Sequence, residues 1–145
     1  MPRAIQLFQV AIKALIVHDG RLLVLRESSG PGWWELPGGR IDVGEEDAAH
    51  VDVLRRELRE ELGPEFRCRI GAPLVTWARP RDRQRGEFAF LVGLACDYEG
   101  GAIELSDEHS GARWIDAATT HELAFAPGYE TALSAIRGAL EQGRG

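Results

Sequence analysis

The sequence predicts an α/β fold in which a mixed β-sheet lies between helices. Three observations carry that expectation. Apolar runs rich in β-branched residues are joined by hairpin-type turns. Two other stretches, one ending near Leu62 and one opening at Pro127, place apolar residues at helical spacing. The two patterns interleave along the chain, so a sheet with faces to cover and helices with apolar flanks to bury are made together.

Taken in order, Phe8 to Val17 reads as a strand and Leu22 to Arg26 as its return, with Asp19-Gly20 between them as a type I′ turn signal. Ser28 to Gly32 is a loop, and Trp33 to Leu36 a short strand leading into Gly38-Gly39. A helix follows to about Leu62, with Asp47 as its expected N-cap and Gly63-Pro64 as its stop. Arg67 to Trp77 is extended, broken at Gly71-Ala72-Pro73, and Arg79 to Gly86 reads as a polar hairpin loop. Glu87 to Asp97 is nearly all apolar and is expected to be central and covered on both faces. Tyr98 to Gly101 reads as a turn, Ile103 to Leu105 as a short extended piece, Ser106 to Gly111 as a loop and Arg113 to Ile115 as the last strand. Ala117 to Leu123 is expected to form a short helix. In the closing helix Tyr129, Leu133, Ile136 and Leu140 keep helical spacing, and Gly143 to Gly145 reads as a frayed tail. No repeat or linker divides the chain, so residues 1–145 are read as a single domain.

Composition narrows the function classes. A hydrophobic content of 44% against 28% charged residues fits a soluble globular chain. The net charge of −6 argues against a general binder of nucleic-acid polymers or anionic membranes. The longest apolar run, Phe88 to Cys96, is far short of a membrane span. Gln6, Gln9 and Lys13 interrupt the early apolar pattern, so no secretory signal is evident and the cytoplasm is the default compartment. Cys68 and Cys96 are too few for a disulfide framework and read as reduced, buried residues.

The chemistry concentrates in GGRIDVGEEDAAHVDVLRRELREELG, from Gly38 to Gly63. Glu57, Glu60 and Glu61 stand at i, i+3 and i+4 and project from one side of the helix. Val51, Leu54, Leu58 and Leu62 form an apolar stripe beside them, and Glu61 lies nearest it, which makes it the least hydrated of the three. Like charges at this spacing destabilise a helix. A solvated acidic face paired with Arg55, Arg56 and Arg59 is one reading. A cation held by the carboxylates is the other, and hard oxygen donors suit Mg²⁺ or Mn²⁺.

This stretch resembles the Nudix box, whose pattern is Gly-x5-Glu-x7-Arg-Glu-U-x-Glu-Glu-x-Gly-U with U a bulky aliphatic residue. Gly39, Glu45, Arg56, Glu57, Leu58, Glu60, Glu61 and Gly63 match it, and Trp34 to Gly39 is also family-like. The chain departs from the pattern twice: ten residues rather than seven separate Glu45 from Arg56, and Pro64 replaces the final aliphatic. The insertion is nearly one helical turn, ~4.5 Å of rise, and bears on whether Glu45 can still brace the loop through Arg56.

The resemblance implies an α/β/α sandwich and a metal-dependent pyrophosphohydrolase with Mg²⁺ as cofactor and Mn²⁺ as an alternative. It implies a small-molecule nucleotide substrate, a nucleoside diphosphate linked to another moiety, and, as in many family members, a homodimer. Glu57 and Glu61 are expected as principal metal ligands, Glu60 as a further ligand or base, and the backbone of Gly39 as close to the cation. Glu45 and Arg56 are expected to support the box. Glu108, in a late loop, is a candidate base or ligand, with His109 beside it as a weaker candidate. Arg26, Arg40 and Arg79 are candidate phosphate contacts, since guanidinium matches phosphate geometry. For the run Arg79, Arg81, Arg83 and Arg85 the plainer reading is a solubilising hairpin tip, and the sharper one is that one or two of them contact substrate phosphates. Trp33, Trp34 and Trp77 could stack a base but read more simply as packing. Two rival readings are a Nudix-like nucleotide sensor without turnover and a prenyl-diphosphate isomerase, the latter calling for a reactive Cys that the strand positions of Cys68 and Cys96 disfavour.

Overall fold

A computed structural model describes residues 2–142, so the expected tail at 143–145 lies outside the described residues. Its elements are β1 (Gln9–His18), β2 (Arg21–Glu27), β3 (Trp34–Glu35), β4 (Gly38–Arg40), α1 (His50–Leu62), β5 (Arg67–Asp82), β6 (Glu87–Gly100), β7 (His109–Ile115), a 3₁₀ turn (Ala118–His121) and α2 (Tyr129–Gln142).

The strands form one mixed sheet, with the order β3-β2-β1-β6-β5, β4 paired to β1 and β7 to β2. β1 runs parallel to β6 from Gln9↔Ala89 to Val17↔Asp97. Its other edge pairs antiparallel with β4 near Ile12↔Gly39 and with β2 at Val17↔Leu22. The turn between β1 and β2 has both central residues at positive φ, Asp19 at 51° and Gly20 at 73°, as the Asp-Gly signal requires.

Strand alternation splits the core into two layers. On one face Ala11, Leu15, Leu22, Val24 and Leu91 pack under Tyr129, Ala132, Leu133 and Ile136 of α2. On the other, Ile12, Ala14, Ile16, Leu23 and Leu94 pack under Val53, Leu54, Leu58 and Leu62 of α1. The result is the expected α/β/α sandwich. Each fully buried aliphatic side chain contributes ~1.5–3 kcal/mol, so the two layers hold both helices to the sheet without any help from the site between them.

Several boundaries differ from the sequence expectation. α1 begins at His50, and Ala49 stands at its N-cap without a side-chain cap, so Asp47 does not cap it. The reason is the inserted length: successive turns closed by Glu45 N–H to Asp42 O (2.9 Å) and Ala48 N–H to Glu45 O (2.9 Å) carry the chain past Asp47. Val53 rather than Val51 is the fully buried valine of the first turn. β5 is one strand to Asp82, and the Gly71-Ala72-Pro73 region interrupts its pairing with β6 as a register shift without ending it. Arg79 and Arg81 are therefore strand residues, and the polar tip is confined to 83–86. Tyr98 to Gly100 continue β6 instead of turning, because Cys68 and Arg67 extend the ladder opposite them. β6 is covered on both faces only in its middle, since Phe90 is exposed. Ile103 to Leu105 form no strand, β7 starts early at His109, and the expected helix from Ala117 shrinks to the 3₁₀ turn. Cys68 is only partly buried, Cys96 is buried and both are free. No helix among the described residues is long and apolar enough to cross a membrane.

Candidate active site

A cleft of about 560 Å³ opens where α1, β4 and the start of β7 meet the strand ends of β1, β5 and β6. The glycine pair shapes its floor. Gly38 has φ of 125°, and a Cβ there would lie 2.2 Å from the Ile12 carbonyl oxygen, so only glycine lets β4 close on β1. At Gly39 a Cβ would stand 2.6 Å from the carboxyl group of Glu57, which lies against the bare backbone in its place.

α1 delivers the three glutamates to different surroundings. Glu61 is 3% exposed, and its Oε2 accepts the Gly38 N–H at 3.1 Å. Burial raises its pKa to about 7, against the opposing pull of Lys13 and the Gly38 hydrogen bond. Glu57 is also raised, chiefly by burial, with Glu60 adding repulsion and Arg56 offsetting part of it. Glu60 is exposed and held by Arg56 Nη1 at 3.1 Å from both oxygens. Arg56 grips Glu45 with a fork of two 2.7 Å bonds and also reaches Glu57 at 3.1 Å. Glu45 in turn accepts the Asp42 N–H at 3.0 Å, so the lengthened loop is tied to the helix through the Glu45–Arg56 pair.

A second layer of charge lies below, and sequence reasoning missed most of it. Lys13 is 6% exposed and donates to the carbonyls of Gly38 (2.9 Å) and Leu36 (3.2 Å), with Glu35 at 3.8 Å. Burial works against its charge, but Glu35, Tyr129 and Glu61 outweigh burial and raise its pKa, so Lys13 stays an ammonium. Glu35 meets His109 Nε2 at 2.9 Å. Burial pushes Glu35 upward, yet Lys13 and the hydrogen bonds from His109 and Glu27 outweigh it and hold the carboxyl down at about 2. Glu27, raised to about 7 by burial and by its bond to Glu35, lines the same cleft. The available signal was Lys13 itself, the single lysine of the chain, set in an apolar strand.

The remaining expectations divide. Glu108 is exposed at the cleft, and ligand atoms of Glu61, Glu108 and His109 lie within 4.8 Å of one another. Arg79 is 8% exposed, lines the cleft and has a buried Nε with no partner among the described residues. Arg40 lines the cleft and holds Gln9 at 2.8 Å. Arg81, of the same arginine run, lines it too; desolvation and the charges of Arg40 and Arg79 lower its pKa. Arg26 does not line the cleft: its Nε donates to the Gly32 carbonyl at 3.2 Å and ties down the loop that follows β2. Trp77 is buried against Tyr129, while Trp33 and Trp34 pack at the edge of the same core layer. Neither cysteine lines the cleft, which leaves the isomerase reading without its acid–base thiol.

The donor set can be tested against a cation. Glu57 and Glu61 are carboxyls whose ionised forms are costly where they stand, and a divalent ion is the partner that would favour those forms. Hard oxygens beside a side-chain-free backbone fit Mg²⁺ or Mn²⁺.

Comparison with known proteins agrees with this geometry. The family model described as NUDIX domain matches residues 7–135. The "Putative 8-oxo-dGTP diphosphatase 2" of Mycobacterium tuberculosis (strain H37Rv) is 32% identical over 127 residues, spanning 82% of this chain and 81% of its own. The "Putative 8-oxo-dGTP diphosphatase" of Bacillus subtilis (strain 168) is 29% identical over 103 residues, 70% of this chain but only 62% of its own length. The solution structure of the E. coli ORF135 protein superposes with a TM-score of 0.75 at 26% identity, covering 94% of this chain and 93% of that one. By the family match over most of its length, this chain belongs to the NUDIX domain family and is a hydrolase of the kind that acts on phosphoanhydride bonds.

Proposed function

We propose that this protein is a divalent-metal-dependent pyrophosphohydrolase that cleaves a nucleoside diphosphate linked to another moiety, by attack of water at phosphorus. The observation that carries the reading is the polarity of the cleft. Glu57, Glu60, Glu61 and Glu108 line it together with Arg40, Arg79 and Arg81. An anionic diphosphate carrying cations is the class of molecule that satisfies both sets of side chains at once.

In this reading Glu57 and Glu61 hold Mg²⁺ or Mn²⁺ beside Gly39, with Glu60 as a further ligand. Bound there, the ion supplies neutralisation of the diphosphate charge and a water of lowered pKa. Everything else falls to side chains of the chain. Arg79, with its free Nε, and Arg40 bind the non-reacting phosphate oxygens and fix the chain of phosphates along the cleft. Glu108, exposed at the rim, takes the proton of the attacking water as the new oxygen–phosphorus bond forms. The bridging oxygen–phosphorus bond opposite breaks, and a nucleoside monophosphate leaves with the remaining phosphate-bearing group. Lys13 keeps Glu35 and Glu61 from repelling each other, and the Arg56–Glu45 fork keeps α1 in register with its loop.

The names of the relatives put an oxidised dGTP in the first group of substrates to try, alongside ADP-ribose and dinucleoside polyphosphates. Product analysis of this panel with Mg²⁺ tests the proposal. Release of a nucleoside monophosphate that stops on chelation supports it, and a panel left intact with metal present refutes it.

A further inference from the structure

The geometry points to His109 as a nitrogen ligand of the metal centre, sharing an ion with Glu61 and giving the site a preference for ions that accept imidazole, such as Mn²⁺, over Mg²⁺. This rests on the metal-dependent reading above and goes beyond it in the donor set.

Two independent observations meet at this residue. The first is placement: a ring nitrogen of His109 and carboxylate oxygens of Glu61 and Glu108 lie within 4.8 Å of one another, close enough for one ion to touch more than one of them. The second is an unfilled valence. His109 is 6% exposed, and its Nδ1 is buried without a hydrogen-bond partner among the described residues. Buried polar atoms are rarely left so, and an unpaired nitrogen on a ring that reaches a carboxylate cluster has a candidate occupant in a divalent cation.

The other ring nitrogen strengthens the case. Nε2 faces Glu35 Oε1 at 2.9 Å, and Lys13 Nζ lies 3.8 Å from the other oxygen of Glu35. A carboxylate on one nitrogen fixes the proton there, orients the ring and leaves the opposite lone pair for a metal. Oxygen-only sites suit Mg²⁺ and Mn²⁺ alike, whereas an imidazole nitrogen is accepted more readily by a transition ion such as Mn²⁺ than by Mg²⁺. Glu108, with two oxygens, can face the ion and a water on it together.

Electron spin-echo modulation of Mn²⁺ bound to the full chain reads this directly. The wild type is expected to show coupling from a bonded imidazole nitrogen, altered when the histidine rings carry ¹⁵N. His109→Gln is expected to remove that coupling while Mn²⁺ still binds through the glutamates. Glu35→Gln, which leaves the ring unanchored, is expected to weaken Mn²⁺ binding by ~10–100-fold. Bound Mn²⁺ without nitrogen coupling in the wild type overturns the assignment and leaves the carboxylate site standing. Coupling that persists in His109→Gln also overturns it, because it then comes from one of the other three histidines. Failure to bind Mn²⁺ at all overturns both this inference and the metal-dependent reading. The wild-type spectrum decides the matter even if a variant folds poorly.

Discussion

Glu61→Gln offers a test that separates the fold from the function, because the two are expected to move in opposite directions. Glu61 is 3% exposed, and without a bound cation its carboxyl titrates at about 7 instead of 4.5. Moving an acid that far makes its ionised form costlier in the folded protein by ~3 kcal/mol, on the order of one large core substitution. The sign follows from proton counting. Below pH 4.5 the carboxyl is protonated in folded and unfolded chains alike, and glutamine mimics it. Between 4.5 and 7 the folded state keeps a proton that the unfolded state releases, so stability falls as pH rises. Above 7 the whole penalty is present. Glutamine keeps the size and an oxygen for the Gly38 N–H but never ionises. In EDTA at pH 8.5 the variant should therefore be more stable than wild type by ~3 kcal/mol, a Tm higher by ~10 °C for a chain of this length. At pH 4.5 the two should nearly coincide. Thermal melts followed by circular dichroism at both pH values measure this, and nucleotide hydrolysis should be nearly abolished in the same variant. Equal or lower stability of Glu61→Gln at pH 8.5, or wild-type turnover, would refute the claim that Glu61 is a buried acid kept for a cation.

Three other perturbations address separate parts of the site. Glu108→Gln should lower kcat by ~10²–10⁴-fold if Glu108 is the base, and a loss under threefold in steady-state assays would remove it from that role. Gly39→Ala should fold, because the atoms its Cβ meets are the end of the flexible Glu57 side chain, yet it should displace that carboxylate and weaken Mn²⁺ binding in calorimetric titration; unchanged affinity would show that Glu57 does not contact the ion. Lys13→Met should cost ~3–5 kcal/mol in urea unfolding, since it strips the cation from Glu35 and leaves the carbonyls of Leu36 and Gly38 unpaired. A loss under 1 kcal/mol would mean that water or a proton replaces Lys13 without difficulty.

What could be read from the residues alone follows the range of the interactions. The box helix, the low hydration of Glu61 and the tight turn at Asp19-Gly20 depend on neighbours a few positions apart, and periodicity exposes those. The sandwich follows from the alternation of two periodicities, although its element ends do not. Asp47 had the right chemistry for a cap, but the inserted residues spend themselves in turns beyond it. Arg79 resembled the solvated arginines that follow it. Only pairing with β6 through Asp82 turns Arg79 and Arg81, two positions apart, toward the same cleft. Arg26, on β2, stands outside the cleft lining with its Nε on the Gly32 carbonyl, a contact no local pattern announces. The Lys13–Glu35–His109 network was out of reach because its members come from β1, β3 and β7, with 74 positions between Glu35 and His109.

Diffraction from crystals soaked in Mn²⁺, with the anomalous signal used to place the ions, tests the central claim most directly. Peaks ~2.2 Å from the carboxylates of Glu57 and Glu61, beside Gly39 and inside the cleft, are the expected result. A cleft with no anomalous density there, or ions bound only at carboxylates outside it, would contradict the account.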